Sequence, residues 1–340
     1  MEKVTVIIPV YNAEKDIHRC LNSIIRQTYP NLDILIINDG STDQTEQVCR
    51  EYCCRYDRIR MINGKHQGVS AARNLGIRQA QGKYLFFMDA DDELFPRSIE
   101  VLMNYHTKGE WIIGNYKMNI IPGTGRPELH LQYFEEEVHY GMRSELPMLC
   151  ISRNFNCVWG KIYRKDIIAV NNIQFDESSD YGEDLLFNAD YFPYVNTFVI
   201  LKEAVYMYCC RFGEGLGTRY IKNEWDIQIS FCSYMEDLCR NRLYLEQAQC
   251  DQMNRFYFDQ ACAAIGRIAE EKSLIQKEKK HEIRKITSSG FFINILEKEA
   301  HLERLNFLDF FLLRRNLGLA YYILHKTYAA LKKHLYRSKR

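Results

Sequence analysis

The first third of the chain alternates between short apolar runs and amphipathic segments. Four runs rich in β-branched or aromatic residues recur in this part, each followed by Pro, Asn or Asp. Two of them, at residues 4–8 and 34–37, are continuous apolar runs, which are typical of strands that are buried on both faces of a parallel sheet. The four predicted strands occupy residues 4–8, 34–37, 59–62 and 84–88.

Amphipathic segments separate these predicted strands. Residues 13–25 repeat apolar side chains at helical spacing. The sequence Ser-Thr-Asp-Gln at residues 41–44 resembles a capping box that opens a second helix. A third helix is expected over residues 69–80, with Gly82 as its cap. This alternation of strands and helices predicts right-handed crossovers and a doubly wound α/β domain.

Length and composition favour a folded protein with more than one region. The chain has 340 residues, of which 46% are hydrophobic and 26% are charged, close to the values of globular proteins. The alternating pattern ends near residue 116, a mixed region follows, and the remainder is mostly helical in pattern. We therefore expect three regions, at residues 1–116, 117–220 and 221–340.

Neither a membrane span nor a disulfide framework is expected. Stretches without Asp, Glu, Lys or Arg reach only 11 residues, whereas a spanning helix needs roughly 20 apolar residues. The N-terminus lacks the long apolar region of a secretory signal. The 12 cysteines include no C-x-x-C pair, so we expect reduced thiols and a cytoplasmic location.

Acidic residues follow two of the predicted strands, where a doubly wound sheet binds its ligands. Asp89 and Asp91 are two residues apart, so an extended chain turns both carboxylates to the same side, and Asp92 adds a third. Such clusters bind Mg²⁺ or Mn²⁺ together with substrate phosphates; an acidic helix N-terminus is the alternative. Asp39 is placed to accept hydrogen bonds from a base or from ribose, or else it occupies a strand-to-helix turn.

Four motifs in register carry a resemblance to a known family. They are VIIPVYN at 6–12, NDGSTD at 38–43, GVSAARNLG at 68–76 and DADD at 89–92. With these motifs the chain resembles, over about residues 1–210, the family 2 glycosyltransferases of the bacterial polysaccharide-biosynthesis type. The resemblance implies an α/β GT-A nucleotide-diphospho-sugar transferase fold, with a doubly wound, mixed, mostly parallel sheet and a mainly α-helical C-terminal extension.

The resemblance also implies roles for individual residues. Residues 1–116 would bind the nucleotide sugar, and residues 117–220 would bind the acceptor. Within the first of these regions, the base would be held by Pro9, Tyr11 and Asp39. The donor site would be lined by Arg73 and Asn74.

The family resemblance further implies a metal site and a general base. Asp89 and Asp91 would form the D-x-D element that touches ribose and a divalent metal, Mn²⁺ or Mg²⁺. Asp91 would be the direct ligand, with Asp92 in support. Glu183 and Asp184 resemble the family's E-D motif, in which the Asp is the general base; the alternative is that both merely favour a helix N-terminus.

Two further segments match the family less strictly. Trp159 would stand beside the acceptor cleft together with Glu183, although a buried Trp is more often part of a core. The expected lid at residues 211–218 has Leu216 where a hydroxyl is usual. Arg211 would still reach the donor diphosphate, and the glycines would allow a mobile loop; an ordinary turn is the alternative.

The charge of the chain is unevenly distributed. Its formal net charge of +1 combines eight basic and no acidic residues in 314–340 with an acidic remainder. Leu317, Tyr321 and Leu324 begin an apolar repeat at helical spacing in this tail. A basic amphipathic helix of this kind binds an anionic membrane surface, which would place the protein peripherally on the inner face of the cell membrane. Packing of the helix on the protein body is the alternative, and no charge pattern indicates nucleic acid.

The resemblance implies an inverting, metal-dependent glycosyltransferase. Its substrates would be a nucleotide-diphosphate sugar, UDP-linked, and a hydroxyl of a glycan or lipid-linked glycan acceptor. Two alternatives stay open at this point. One is a sugar nucleotidyltransferase, although residues 9–12 do not form its usual Gly-rich loop. The other is an inactive transferase-like domain that binds a membrane surface.

Overall fold

The computed structural model of the protein describes residues 1–121, 128–129, 136–151, 155–179, 182–211, 220–221, 223–301 and 307–324. The chain forms two compact units, Met1–Phe212 and Gly213–Arg340.

Ten strands form one mixed sheet among the described residues of the first unit. Six run parallel to one another: β1 (Val4–Val10), β2 (Leu32–Asn38), β3 (Ile59–Asn63), β4 (Tyr84–Phe87), β6 (Trp111–Ile121) and β10 (Thr197–Arg211). Four run antiparallel to these: β5 (Glu93–Leu94), β7 (Glu128–Leu129), β8 (Val138–Met142) and β9 (Lys161–Arg164). The order is β3-β2-β1-β4-β9-β6-β10-β5, with β7 on β6 and β8 on β10. The predicted mixed, mostly parallel sheet is confirmed.

Helices connect the strands of this unit. They are α1 (Ile17–Ile25), α2 (Thr45–Arg55), α3 (Val69–Gln79), α4 (Ser98–Met103), α5 (Leu146–Ile151), α6 (Lys165–Val170) and α7 (Glu183–Tyr191), with 3₁₀ turns at Arg143–Glu145 and Phe192–Tyr194. The first three begin and end within a few residues of the helices predicted from the apolar spacing.

The capping box predicted for α2 does not form. Gln44 is the N-cap residue of this helix and makes no capping hydrogen bond with its side chain. The Ser41 hydroxyl instead accepts a hydrogen bond from the backbone N–H of Asn12 (3.1 Å). The serine therefore joins the segment after β1 to the segment after β2.

Gly82 does not cap α3 either. The helix ends at Gln79, and Ala80 is already extended. A Cβ at residue 82 would lie 2.5 Å from the backbone nitrogen of Thr5 and 2.8 Å from the carbonyl oxygen of Lys3. Glycine is required here because the chain passes directly against β1 on its way into β4.

The inner strands place their carboxyl ends at one edge of the sheet. All residues of β1 and β2 are buried, and Val10 pairs with Asn38 where these strands end. On the other side of β1, Ile7 pairs with Phe87, the last residue of β4. The segments that follow these three strands therefore emerge side by side, at the edge where such sheets bind ligands.

The second unit is helical. Its helices are α8 (Glu224–Asp237), α9 (Gln247–Glu270), α10 (Gln276–Thr287), α11 (Gly290–His301) and α12 (Phe307–Arg314), with a π-helical turn at Leu238–Arg242. Aromatic rings form much of its core, for example Phe258 stacked on Phe292 with 6.2 Å between the ring centroids. Among the helices that the structure describes, none has the length and apolar character needed to cross a bilayer.

Candidate active site

A buried arginine joins the acidic elements at the carboxyl edge of the sheet. Arg73 of α3 is 3% exposed. One of its terminal nitrogens donates to Glu183 Oε1 (3.1 Å) and Asp184 Oδ1 (2.8 Å), and the other donates to Asp89 Oδ1 (3.0 Å). The guanidinium carbon lies 5.3 Å from the ring centroid of Phe175. One cation thus connects the turn after β4 to the start of α7.

The electrostatics of this cluster set the protonation of its members. Burial raises the pKa of Asp184 to about 7; Arg73 opposes this shift, while Glu183 and Asp89 add to it. Burial also disfavours the charge of Arg73, but the neighbouring carboxylates outweigh burial and raise the pKa of its guanidinium. Arg73 therefore stays charged, and Asp184 titrates near neutral pH, where a general base is most effective.

Asp184 is held from two sides. Its Oδ1 receives Arg73, and its Oδ2 accepts a hydrogen bond from the backbone N–H of Val158 (3.1 Å). The helix that carries it begins after Gly182, whose φ of 80° is in the left-handed region favoured by glycine. The Asp184 side chain is 16% exposed, so the carboxylate is oriented by the protein and still reaches the surface.

The acidic residues of the turn after β4 differ in their exposure to solvent. Asp91 is exposed. Asp92 is fully buried and accepts hydrogen bonds from the Tyr206 hydroxyl (2.7 Å) and from the backbone N–H of Cys209 (2.7 Å). Asp92 therefore anchors the turn to β10 and does not face the surface, and its supporting role at a metal site stays a prediction.

Asp39 organises the loop that precedes α3. Its Oδ1 accepts the N–H of Gln67 (2.8 Å), and its Oδ2 accepts the N–H of Gly68 (2.8 Å). His66 of the same loop stacks on Tyr11, with ring centroids 4.2 Å apart and planes 20° apart. Tyr11 is 47% exposed. The expected base-binding residues Tyr11 and Asp39 are thus brought together by a loop whose histidine the sequence analysis did not single out.

Pro9 and Asn74 lie deeper than expected for residues that contact a donor. Pro9 is buried within β1, opposite Ile37 of β2. Asn74 is 2% exposed, and its amide nitrogen donates to the Phe175 carbonyl (2.9 Å) and to Glu177 Oε1 (2.9 Å). Its amide oxygen accepts the N–H of Phe175 (2.8 Å). Asn74 therefore fixes the segment that places Phe175 under Arg73.

Trp159 belongs to an aromatic stack on β10. Its ring is nearly parallel to that of Tyr206 (4.5 Å, 8°) and to that of Tyr208 (5.5 Å, 15°), and Tyr116 meets it edge-on at 4.9 Å. The residue is partly buried against the core, and its position beside an acceptor cleft stays a prediction. Arg211 is the last residue of β10, and residues 212–218 of the expected lid lie outside the described residues.

Comparison with known proteins gives a family for this arrangement. Glycosyl transferase family 2 matches residues 5–170. The uncharacterised glycosyltransferase YibD of Escherichia coli K12 is 34% identical over 184 residues, which cover 51% of this chain and 52% of that protein. The uncharacterised glycosyltransferase EpsJ of Bacillus subtilis is 31% identical over 208 residues, 60% of either chain. Residues 5–170 thus have the sequence pattern of glycosyl transferase family 2, and the relatives that match them are named as glycosyltransferases.

Solved structures show the same fold. The crystal structure of Staphylococcus aureus TarS residues 1–349 in complex with UDP superposes with a TM-score of 0.63, at 22% identity, covering 94% of this chain and 89% of that one. The complex with UDP-GlcNAc gives a TM-score of 0.64 at 20% identity. The expected GT-A fold with a helical C-terminal part is confirmed. The chain spans about half the length of YibD and EpsJ, the curated relatives named above.

Proposed function

We propose that this protein is an inverting glycosyltransferase. It transfers a sugar from a nucleotide-diphosphate donor, UDP-linked, to a hydroxyl of a glycan or lipid-linked glycan. The observation that carries the proposal is the contact of Arg73 with both Asp89 and Asp184, because it joins the expected donor and acceptor elements. Relatives named as glycosyltransferases support it, as do the TarS crystals that contain UDP or UDP-GlcNAc.

Asp184 is proposed as the general base. Its ionised carboxylate accepts the proton of the acceptor hydroxyl while the hydroxyl oxygen attacks the anomeric carbon. The bond from that carbon to the leaving phosphate oxygen breaks as the new bond forms, so the configuration inverts. Arg73 and the N–H of Val158 each use one lone pair of the carboxylate, and lone pairs remain on both oxygens for the hydroxyl.

The turn after β4 suits a hard divalent cation. Asp91 is exposed, and the Asp89 side chain is 30% exposed, so oxygen ligands are accessible there. Among the described residues no three His, Cys, Asp or Glu side chains converge to enclose a metal ion. We therefore propose that Asp91 and Asp89 hold Mn²⁺ or Mg²⁺ together with the donor phosphates. Such a cation, when bound, offsets the charge that builds on the departing diphosphate.

Replacing Asp91 by Ala is expected to weaken metal-dependent donor binding at least tenfold, because a metal ligand is lost. Calorimetric titration of the protein with UDP at fixed Mn²⁺ measures this change in affinity. Asp57→Ala is the matched control, since Asp57 is an exposed aspartate just before the amino end of β3. Superimposable titration curves for Asp91→Ala and the wild type would contradict the assignment of Asp91 as a metal ligand.

A panel of nucleotide sugars tests the proposed function itself. With Mn²⁺ or Mg²⁺ present, we expect release of UDP from UDP-sugars and none in the presence of a chelator. Release of pyrophosphate from a nucleoside triphosphate and a sugar phosphate would indicate a nucleotidyltransferase instead. Absence of turnover with every donor, despite intact folding, would support an inactive binding module.

We also propose peripheral contact between residues 314–340 and an anionic membrane surface. Residues 318–324 are helical. On one face, Gly318 contacts Ile283, and the Tyr322 hydroxyl bonds to Glu270. On another face, Ile323 and Leu324 are 55% and 40% exposed. The described part of this tail thus packs on the helical unit and still presents apolar side chains, next to a strongly basic sequence.

Two further features of this tail bear on the predicted apolar repeat. Tyr321 stands between Leu317 and Leu324 in the repeat. Its hydroxyl accepts a hydrogen bond from the Cys262 thiol, so Tyr321 belongs to the packed face. The later members of the repeat, Tyr328, Leu331 and Leu335, lie outside the described residues.

Sedimentation with liposomes tests the membrane proposal. The full chain is expected to pellet with phosphatidylglycerol vesicles at low salt and much less at high salt, since each nearby Lys or Arg contributes about 1 kcal/mol. A double Ile323→Glu, Leu324→Glu variant should pellet less. Ile275→Glu is the control, because Ile275 is 64% exposed elsewhere in the helical unit. Equal pelleting after deletion of residues 325–340 would contradict the proposal.

A further inference from the structure

The loop of residues 155–160, between α5 and β9, carries two groups of the proposed acceptor side. The backbone N–H of Val158 donates to Asp184 Oδ2 (3.1 Å). The next residue, Trp159, lays its indole against Tyr206. Because the amide and the indole belong to adjacent residues, the position of this one loop sets both the orientation of the proposed base and the aromatic surface near it.

Helix α7 holds this loop through a buried amide. Asn188 lies four residues after Asp184, so both side chains are on the same face of the helix. The Asn188 amide nitrogen donates to the carbonyl oxygens of Phe155 (2.8 Å) and Cys157 (2.9 Å). Its amide oxygen accepts the hydroxyl of Tyr163 (2.7 Å). Asn188 is fully buried, and these hydrogen bonds fix the start of the loop to the helix that carries Asp184.

Strand β9 holds the same loop through a buried ammonium group. Lys161 is 2% exposed. Its Nζ donates to the carbonyl oxygen of Cys157 (2.7 Å), to that of Trp159 (3.2 Å) and to the Cys157 thiol (3.2 Å). The ammonium also lies 5.9 Å from the ring centroid of Trp159. A buried charge is unfavourable unless its donors are satisfied, and these three donors are satisfied by the loop.

We infer that Lys161 and Asn188 are positioning residues for the acceptor step. They act by holding the loop of residues 155–160, so that the Val158 N–H orients Asp184 and the indole of Trp159 stays against Tyr206. This inference rests on the proposed glycosyl transfer and deepens it. It predicts that loss of either side chain impairs use of the acceptor more than binding of the donor.

Two variants of similar side-chain length test the inference. Lys161→Met and Asn188→Leu remove the hydrogen bonds to the loop. Hydrogen exchange followed by mass spectrometry is expected to show at least tenfold faster exchange for residues 155–160. For the acceptor, kcat/KM is expected to fall about 10²-fold, the effect of a displacement of about 1 Å on an oriented reaction, with the donor KM changed less than twofold.

Asn254→Leu is the matched control. Asn254 is 5% exposed in the helical unit, where its amide donates to the Asp251 carbonyl (2.7 Å). This variant is expected to lose a buried amide hydrogen bond without faster exchange at residues 155–160 and without a lower acceptor kcat/KM.

The exchange results and the kinetic results test different parts of the inference. Unchanged exchange at residues 155–160 in both variants would overturn the inference. So would faster exchange with an unchanged acceptor kcat/KM, or equal losses for donor and acceptor. A wild-type protein that turns over no donor would contradict the proposed glycosyl transfer. In that case the exchange data would still show whether Lys161 and Asn188 hold the loop.

Discussion

Replacing Asp184 by Asn is expected to lower kcat by about 10²–10⁴-fold, the usual contribution of a positioned general base. The amide of Asn has nearly the shape of the carboxylate but does not accept the proton of the acceptor hydroxyl. Donor binding should be retained, because Asp184 lies on the proposed acceptor side. The measurement is steady-state transfer to an acceptor, together with a UDP titration of the same preparation.

Glu183→Gln serves as the comparison for this variant. Glu183 precedes Asp184 and bonds to the same terminal nitrogen of Arg73, so both variants weaken one contact of that guanidinium. If Asp184 is the base, Asn at 184 should reduce kcat far more than Gln at 183. Full activity of Asp184→Asn would refute the assignment of the base.

The pH dependence of kcat follows from the same carboxyl. A base must be ionised to accept a proton, and burial raises the pKa of Asp184 to about 7. The rate should therefore be maximal above that pH and fall about tenfold per unit below it. In Asp184→Asn the residual rate should no longer fall as the pH is lowered through this range. A wild-type profile that stays flat down to pH 5 would contradict a base with a raised pKa.

Replacing Arg73 by Met is expected to lower the free energy of unfolding by about 3–5 kcal/mol, the usual loss when one partner of a buried ion pair is removed. Asp89, Glu183 and Asp184 would then face one another without their shared cation. Turnover should also be lost, because Asp184 would lose one of its orienting hydrogen bonds. Urea unfolding and the transfer assay measure the two effects.

Two further arginine variants show whether these effects arise at the site. Arg60→Met removes a two-bond contact with Asp33 elsewhere in the same sheet, with distances of 2.7 and 2.9 Å, and should lower stability while donor binding persists. Arg73→Lys keeps the charge but lacks the planar fork that reaches three carboxylates, so its stability and turnover should be intermediate. Wild-type stability of Arg73→Met would show that the cluster does not depend on this cation.

The local pattern of the sequence predicted the framework of the fold. Apolar runs bounded by Pro, Asn or Asp correspond to β1, β2 and β4, which are buried because both faces of the sheet are covered there. The predicted third strand forms as β3, although only its first residue is buried. Helical spacing likewise predicted α1–α3. The turn details were less predictable. Ser41 and Gly82 are residue types that favour helix caps, but Ser41 contacts the segment after β1 and Gly82 lies against β1 itself.

The candidate site was predictable as a set of residues but not as an arrangement. Asp39, Asp89 and Asp184 were recognised from motifs of short spacing. The inward direction of Asp92 and the burial of Asn74 were not, because each depends on distant backbone: Cys209 of β10 for Asp92 and Phe175 for Asn74. His66 belongs to none of these motifs, and only the fold places its ring against Tyr11.

The sequence by itself determined which residues could do the chemistry and in what order the strands and helices carry them. Periodicity and short motifs act over a few residues, and such local signals survive without a structure. Only the tertiary structure decided that Arg73 joins Asp89 to Asp184, which lies 111 residues after the arginine in the chain, and that Lys161 and Asn188 hold one loop. The physical reason is that a buried charge or amide finds its hydrogen-bond partners through three-dimensional packing, and no local pattern specifies that choice.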